Sequence, residues 1–153
     1  MPNGRTHQAV ATLVGVGTGL YTARNVHQAD AALARIAGSV LAANLAAALP
    51  DLLEPAVHSW HRESFHSIVA LAGATRLAVV PQRVVLWLSE REIAAARLRA
   101  SREALPPNHA DRFWLWLSEM IEHMLIGAAI GAPAGYASHL ILDGCSPRGL
   151  PPI

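Results

Sequence analysis

Histidine and acidic side chains that can bind a metal ion are concentrated at two places in the sequence. The chain has 8 His among its 153 residues, and three of them, His58, His61 and His66, follow Asp51 in a polar, turn-prone stretch. His139 and Asp143 form a second group, four residues apart. Residues at that spacing share one face of a helix, so this pair is able to bind one ion from the same side.

These residue types predict hydrolytic metal chemistry. The neighbouring segments are so apolar that unpaired His and Asp side chains would be costly to bury there, which favours a shared site. Imidazole and carboxylate ligands without thiolate suit zinc, while manganese, iron and magnesium remain open. A metal ion with an incomplete set of protein ligands lowers the pKa of its bound water to about 7, and so supplies hydroxide at neutral pH. Two ions about 3.5–4 Å apart would also clamp both oxygens of a phosphoester.

The elements that must position these side chains are predicted to be helices. Hydrophobic residues make up 52% of the chain and charged residues 15%, well below the roughly 25% charged residues of an ordinary soluble domain. Alternating Val and Ile over strand length is scarce. We therefore expect one all-α domain over residues 1–153, a compact bundle of about five to six helices. The expected helices cover residues 9–21, 27–49, 67–80, 83–104, from 108 or 111 to 133, and 134–145.

Two apolar stretches approach the roughly 20 residues that a membrane-spanning helix needs, residues 36–53 and 124–142. Small residues at three- and four-residue spacing in residues 27–49 allow another helix to approach closely, in a membrane or in a soluble core. His139 and Asp143 would be costly in lipid unless they faced the protein interior or a metal ion. The bundle is therefore predicted to be membrane-associated or partly embedded.

Composition and motifs exclude several functional classes. The 12 basic and 11 acidic residues give a net charge of +1 with no block of like charge, which is unlike the surface of a protein that binds duplex DNA. Cys145 is the single cysteine, so neither an internal disulfide nor a cysteine-based zinc finger is available. No GxSxG nucleophile motif, Walker loop or Rossmann fingerprint occurs.

Short motifs spread along the chain resemble one family. They are Arg-Thr-His at residues 5–7, Leu-Pro-Asp at 49–51, His-Arg at 61–62 with His-Ser at 66–67, Gly-Tyr at 135–136 leading into Ser-His-Leu at 138–140 with Asp143, and Pro-Arg-Gly at 147–149. In this order, and over nearly the whole chain, they resemble the YdjM-type family of bacterial membrane-associated, metal-dependent hydrolases. Two positions depart from the family pattern: Leu53 stands where a second acidic residue is usual, and Phe65 where a small Thr is usual.

The resemblance implies an all-helical fold related to zinc-dependent phospholipase C and P1-type nucleases, placed at a bacterial inner membrane. It implies one to three divalent metal ions, with zinc favoured, and a phosphoester substrate in a small molecule, a lipid or a nucleic acid. Arg62 and Arg148 lie next to implied ligands and are candidate catalytic residues, because a guanidinium group is suited to holding phosphate. The metal ligands implied by the matched motifs are His7, Asp51, His61, His66, His139 and Asp143.

The residues leave two other interpretations open. The chain would be a non-catalytic membrane-associated or partner-binding protein if its metal site were structural or vestigial. It would be a plain apolar membrane protein if its histidines were incidental, and the distant ligands would then not converge. His123, one turn after Glu119, is a further candidate for the site, and the charges of residues 83–104 predict an amphipathic helix with a solvated face.

Overall fold

Helices account for nearly all of the described part of the chain. A computed structural model describes residues 4–53 and 82–145, and within them the prediction of an all-α fold is confirmed. Short polar connections separate α1 from α2 and α3 from α4. The helices are α1 (Gly4–Ala23), α2 (Ala29–Leu53), α3 (Gln82–Glu103) and α4 (Asp111–Gly144).

The helix count of five to six is too high for the described residues, which contain four helices. One cause is Pro133, where the sequence predicts that one helix ends and another begins. Helix α4 instead continues through Pro133 for 34 residues, about 51 Å at 1.5 Å per residue. Helix α2 likewise continues through Pro50 to Leu53. Each proline removes one backbone hydrogen bond, a loss that closely packed neighbouring helices can offset. The expected helix over residues 67–80 lies outside the described residues.

The directions of the helices follow from their cross-contacts. Thr18 of α1 shares a 2.7 Å hydrogen bond with Ser39 of α2, and Thr12 donates to Asn44 over 3.1 Å, so these helices run antiparallel. Helix α4 makes its largest interface with α2 and runs parallel to it, since Gly127, Gly131 and Gly135 meet Arg35, Ser39 and Ala43 in that order. The last turns of α2 and α4 and the first turns of α1 therefore lie at the same end of the bundle.

Glycines on α4 bring its backbone against that of α2. Gly127, Gly131 and Gly135 recur every four residues, and a Cβ atom on any of them would overlap the backbone of α2. For Gly131, that atom would come within 2.7 Å of both the Cα and the Oγ of Ser39. Such small residues at four-residue spacing are typical of helices that pack closely in membranes.

Large apolar side chains remain on the outside of the bundle. Helices α2 and α4 are both long and apolar enough to cross a membrane. A core helix of a soluble protein also passes that test, but only 33% and 39% of their most apolar stretches are buried. On α2 the exposed leucines extend from Leu33 to Leu53, a rise of about 30 Å at 1.5 Å per residue.

Candidate metal centre

Three helices contribute His and Asp side chains to one end of the bundle. His7 lies near the start of α1, Asp51 in the last turn of α2, and His139 and Asp143 in the final turns of α4. Because α1 is antiparallel to the other two helices, its beginning meets their ends. Residues from the two extremes of the chain are thus brought together by helix direction and close packing.

Asp143 stands at the centre of this group. Its Oδ1 is 3.5 Å from Nε2 of His7, and its Oδ2 is 3.5 Å from Nε2 of His139. Nε2 of His139 is also 3.6 Å from Oδ1 of Asp51. One ligand atom from each of His7, His139 and Asp143 lies within 4.8 Å of the others.

These separations fit a metal ion with nitrogen and oxygen ligands. Two ligands bound to a tetrahedral zinc ion at about 2.1 Å are about 3.4 Å apart, close to the distances between the Nε2 and carboxylate oxygen atoms. The donor set holds imidazole and carboxylate but no thiolate, which suits zinc and harder divalent ions. The C-terminal ends of α2 and α4 both point here and their dipoles favour a cation, whereas the N-terminal end of α1 at the same place favours an anion.

Three members of this group are buried, and the fourth is exposed to solvent. His7 is buried, and His139 and Asp143 are each only 1% exposed. The Asp51 side chain is 60% exposed, so it forms the solvent-facing edge of the group. A ligand arriving from outside the bundle would therefore meet Asp51 first.

The structure brings together four of the six predicted ligands, His7, Asp51, His139 and Asp143. The other two, His61 and His66, lie outside the described residues, as do Arg62 and Arg148. His123 does not join this group. It lies on the same helix as His139, but about 24 Å along the axis at 1.5 Å per residue.

His123 instead belongs to a second buried group, here called the arginine cluster. Arg35 of α2 donates from Nε to Nδ1 of His123 over 3.0 Å, and from Nη1 to the carbonyl oxygen of Thr22. Its Nη2 donates to Glu92 of α3. The cluster consists of Arg35, Glu92, Arg99, Arg102, Glu119 and His123.

Glu119 is the second centre of the arginine cluster. This carboxylate is fully buried, and it accepts from Nε of Arg99 over 2.7 Å and lies 2.9 Å from Nη2 of Arg102. The prediction of a solvated charged face on residues 83–104 is therefore wrong for these arginines, because they neutralise a buried charge on α4. The signal in the sequence was the presence of Arg35 and Glu119 inside apolar helices, where charges are almost always paired.

Comparisons with known proteins do not assign this chain to a family. No protein-family model, no curated protein and no solved structure matches it. The geometry of the two polar groups is thus the basis for assigning a function.

Proposed function

We propose that this chain is a membrane-embedded, metal-dependent hydrolase of the YdjM type that cleaves phosphoesters at the bacterial inner membrane. The observation that carries the proposal is the convergence of His7, His139 and Asp143 within 4.8 Å at one end of an apolar helical bundle. His7 is far in the sequence from His139 and Asp143, so the folding of the chain brings these residues together.

The described residues suit the retention of one divalent ion. His7 and His139 would bind through Nε2, Asp143 through a carboxylate oxygen, and Asp51 would complete the set from the solvent side. Zinc fits these donors best. Bound there, the ion would act as a Lewis acid toward a phosphoryl oxygen and activate water for attack on phosphorus.

The chain's own side chains orient and protect the site. The stacked rings of His7 and His139 fix each other's planes, with centroids 4.0 Å apart. Buried Asp143 contacts both rings and sets the direction of their Nε2 atoms. Because Asp51 is exposed at the edge of the site, the substrate would approach from the side that faces water.

The membrane part of the proposal rests on the outer surface of the bundle. The exposed leucines of α2 from Leu33 to Leu49 extend over about 24 Å, most of the roughly 30 Å thickness of the hydrocarbon core of a bilayer, and Asp51 follows them at the end that faces water. Arg35 of α2 and Glu119 of α4, which lie within these apolar helices, are themselves buried and are paired with charges on α3, as expected for charges in a membrane helix.

Metal analysis tests the proposal most directly. Full-length protein purified without chelator and without a nickel column should contain at least one equivalent of a transition metal. His139→Ala should lose it, whereas His109→Ala should keep it, because His109 is exposed and pairs with the adjacent Asp111. Protein without metal, or with the same metal content in His139→Ala, would overturn the proposal.

Turnover separates a hydrolase from a protein with a structural metal. The wild-type protein should cleave a generic phosphodiester such as bis-(para-nitrophenyl) phosphate, and His139→Ala should not. The His109→Ala protein should retain the wild-type rate. Stoichiometric metal without cleavage of any phosphomonoester or phosphodiester would contradict the hydrolase and favour a structural role for the ion.

A further inference from the structure

A polar cavity lies beside the arginine cluster, at the end of the bundle opposite the candidate metal centre. Its volume is about 260 Å³, and it is bounded by the connection between α1 and α2 and by α3 and α4. That is slightly below the roughly 300–1,000 Å³ of pockets that hold drug-sized ligands, so it suits one small group. Its polar lining comes from Asn25, His27, Gln28, Arg35, Glu92, Arg99 and His123.

Hydrogen bonding fixes the protonation of His123. Nε of Arg35 is always a donor, and it donates to Nδ1 of His123 over 3.0 Å. Nδ1 therefore carries no proton, and in the neutral ring the proton resides on Nε2. Nε2 of His123 is thus a donor, in a side chain that is almost completely buried.

That donor faces a second donor. Nη2 of Arg99 is 3.5 Å from Nε2 of His123, and a guanidinium nitrogen cannot accept a hydrogen bond. Two N–H groups therefore converge at the cavity wall. The Nε atom of Arg99 is already used by Glu119. An oxygen atom placed in the cavity would accept from both groups at once.

The charge of the arginine cluster favours an anion as the source of that oxygen. The net charge of the arginine cluster is +1 when His123 is neutral, because three arginines face two glutamates, Glu92 and Glu119. Arginine is the side chain best suited to phosphate, because its planar fork matches two phosphate oxygens. The excess charge is partly buried, so it attracts an anion more strongly than a charge in water.

The lipid part of the argument rests on the membrane-embedded arrangement proposed above, in which the exposed aromatic side chains at this end would lie near the lipid headgroups. Phe113 and Trp114 are exposed at the start of α4, and Tyr21 is exposed near the end of α1 with Arg24 over its ring at 4.1 Å. Aromatic residues are enriched where a membrane protein meets the headgroup region. The cavity is therefore within reach of phosphate groups from lipid as well as from solution.

We propose that this cavity is a binding site for a phosphate group, held by Arg99 and His123 and separate from the candidate metal centre. The chemistry recognised is the phosphate group, whether on an anionic lipid headgroup or as free phosphate. The two sites are about 24 Å apart along α4, so this proposal holds or fails independently of the hydrolase.

The test measures binding of inorganic phosphate to the full-length protein by calorimetry and by the shift in its melting temperature. Arg99→Gln should weaken binding about tenfold or more, as loss of a charge-assisted hydrogen bond predicts. Glu92→Gln should tighten it severalfold, because it removes a competing carboxylate. Glu92 is half-exposed, so this variant should fold even if Arg99→Gln is unstable.

Two controls and a lipid arm complete the experiment. Arg91→Gln, which removes an arginine that is paired with Glu122 and does not line the cavity, should bind phosphate as the wild type does. His139→Ala should also keep the binding that depends on Arg99. In nanodiscs, the melting temperature of the protein is compared between phosphatidylglycerol and phosphatidylcholine. A higher value in phosphatidylglycerol that is lost in Arg99→Gln would identify the lipid headgroup as the source of the phosphate group. The proposal would be overturned if the protein neither bound inorganic phosphate nor was stabilised by phosphatidylglycerol, or if these two responses were the same in Arg99→Gln and Glu92→Gln as in the wild type.

Discussion

The rings of His7 and His139 stack, with centroids 4.0 Å apart and planes inclined by 25°. One ring belongs to the first helix and the other to the last described helix, and both direct Nε2 toward Asp143. The stack therefore joins the two extremes of the chain at the candidate metal centre. The packing of α1 and α4 against α2 brings the two rings into contact.

The two carboxylates of the metal centre should contribute unequally. Asp143 is buried and lies 3.5 Å from both histidines, whereas Asp51 is exposed and lies 3.6 Å from His139. We expect Asp143→Asn to lower metal affinity about 100-fold or more and Asp51→Asn about tenfold, since even outer-shell partners change affinity by about 10–100-fold. Competition with a fluorescent zinc chelator measures both.

Asp111→Asn is the matched control for these two variants, because Asp111 is exposed and pairs with His109 away from the site. Its metal affinity should equal that of the wild type. An Asp51→Asn protein that loses more metal than Asp143→Asn would reverse the assigned order and place the ion outside the buried group.

Part of the geometry of the candidate metal centre was predictable from residue types and motif order. His139 and Asp143 share a helix face, which their four-residue spacing predicts by itself. The convergence of His7 and Asp51 on that pair depends on helix directions, which spacing does not give. In the sequence, only the resemblance to a family connects these distant residues.

The fold was predictable in class but not in the number of helices. Apolar composition and the scarcity of strand patterns correctly predict an all-α chain. Pro133 indicates a helix end in the sequence, because a proline disrupts an isolated helix. Within α4 the loss is local, since Gly131 and Gly135 on either side hold the backbone tightly against α2.

The arginine cluster was the main feature that sequence patterns missed. Charges on residues 83–104 have the spacing of a solvated helix face, and spacing does not reveal which neighbour lies opposite. Glu119 on α4 makes Arg99 and Arg102 internal partners. Charged residues in apolar helices were the available signal, since each needs a partner from another element.

Close packing between α2 and α4 should be sensitive to a single methyl group. A Cβ on Gly131 would lie 2.7 Å from the Cα of Ser39, so Gly131→Ala must push the helices apart. We expect a loss of about 2–3 kcal/mol in the free energy of unfolding, with weaker metal binding because the ligands of α2 and α4 separate. Unfolding in mixed micelles followed by circular dichroism measures the first effect.

Gly17→Ala is the control for this substitution. A Cβ atom on Gly17 would have no neighbour within 4 Å among the described residues, so the added methyl group makes no clash there. Its stability should be unchanged or higher by up to about 1 kcal/mol, because alanine favours helix more than glycine does. Equal effects of the two substitutions would show that helix propensity, rather than contact with α2, sets the stability.

The buried carboxylate of Glu119 should matter more to stability than its neighbour Glu122. Glu119 lies near two guanidinium groups in the interior, whereas Glu122 pairs with the partly exposed Arg91. Glu119→Gln should cost about 3 kcal/mol, as removal of one partner from a buried ion pair does. Glu122→Gln should cost below about 1 kcal/mol, as expected for a pair near the surface. Denaturant titrations of both proteins in the same detergent provide the comparison, and equal losses would contradict a structural role for the arginine cluster.

The outer face of α2 should behave as a lipid-contacting surface. Leu45 is 72% exposed near the middle of the apolar stretch, and an Asp at the centre of a membrane helix costs about 2.5–3.5 kcal/mol. Leu45→Asp should therefore reduce the fraction of protein retained in carbonate-washed membranes, while Ser101→Asp on the exposed side of α3 should not. If the face of α2 met water instead, Leu45→Asp would leave the fold intact and increase solubility, and the membrane-embedded arrangement would be wrong.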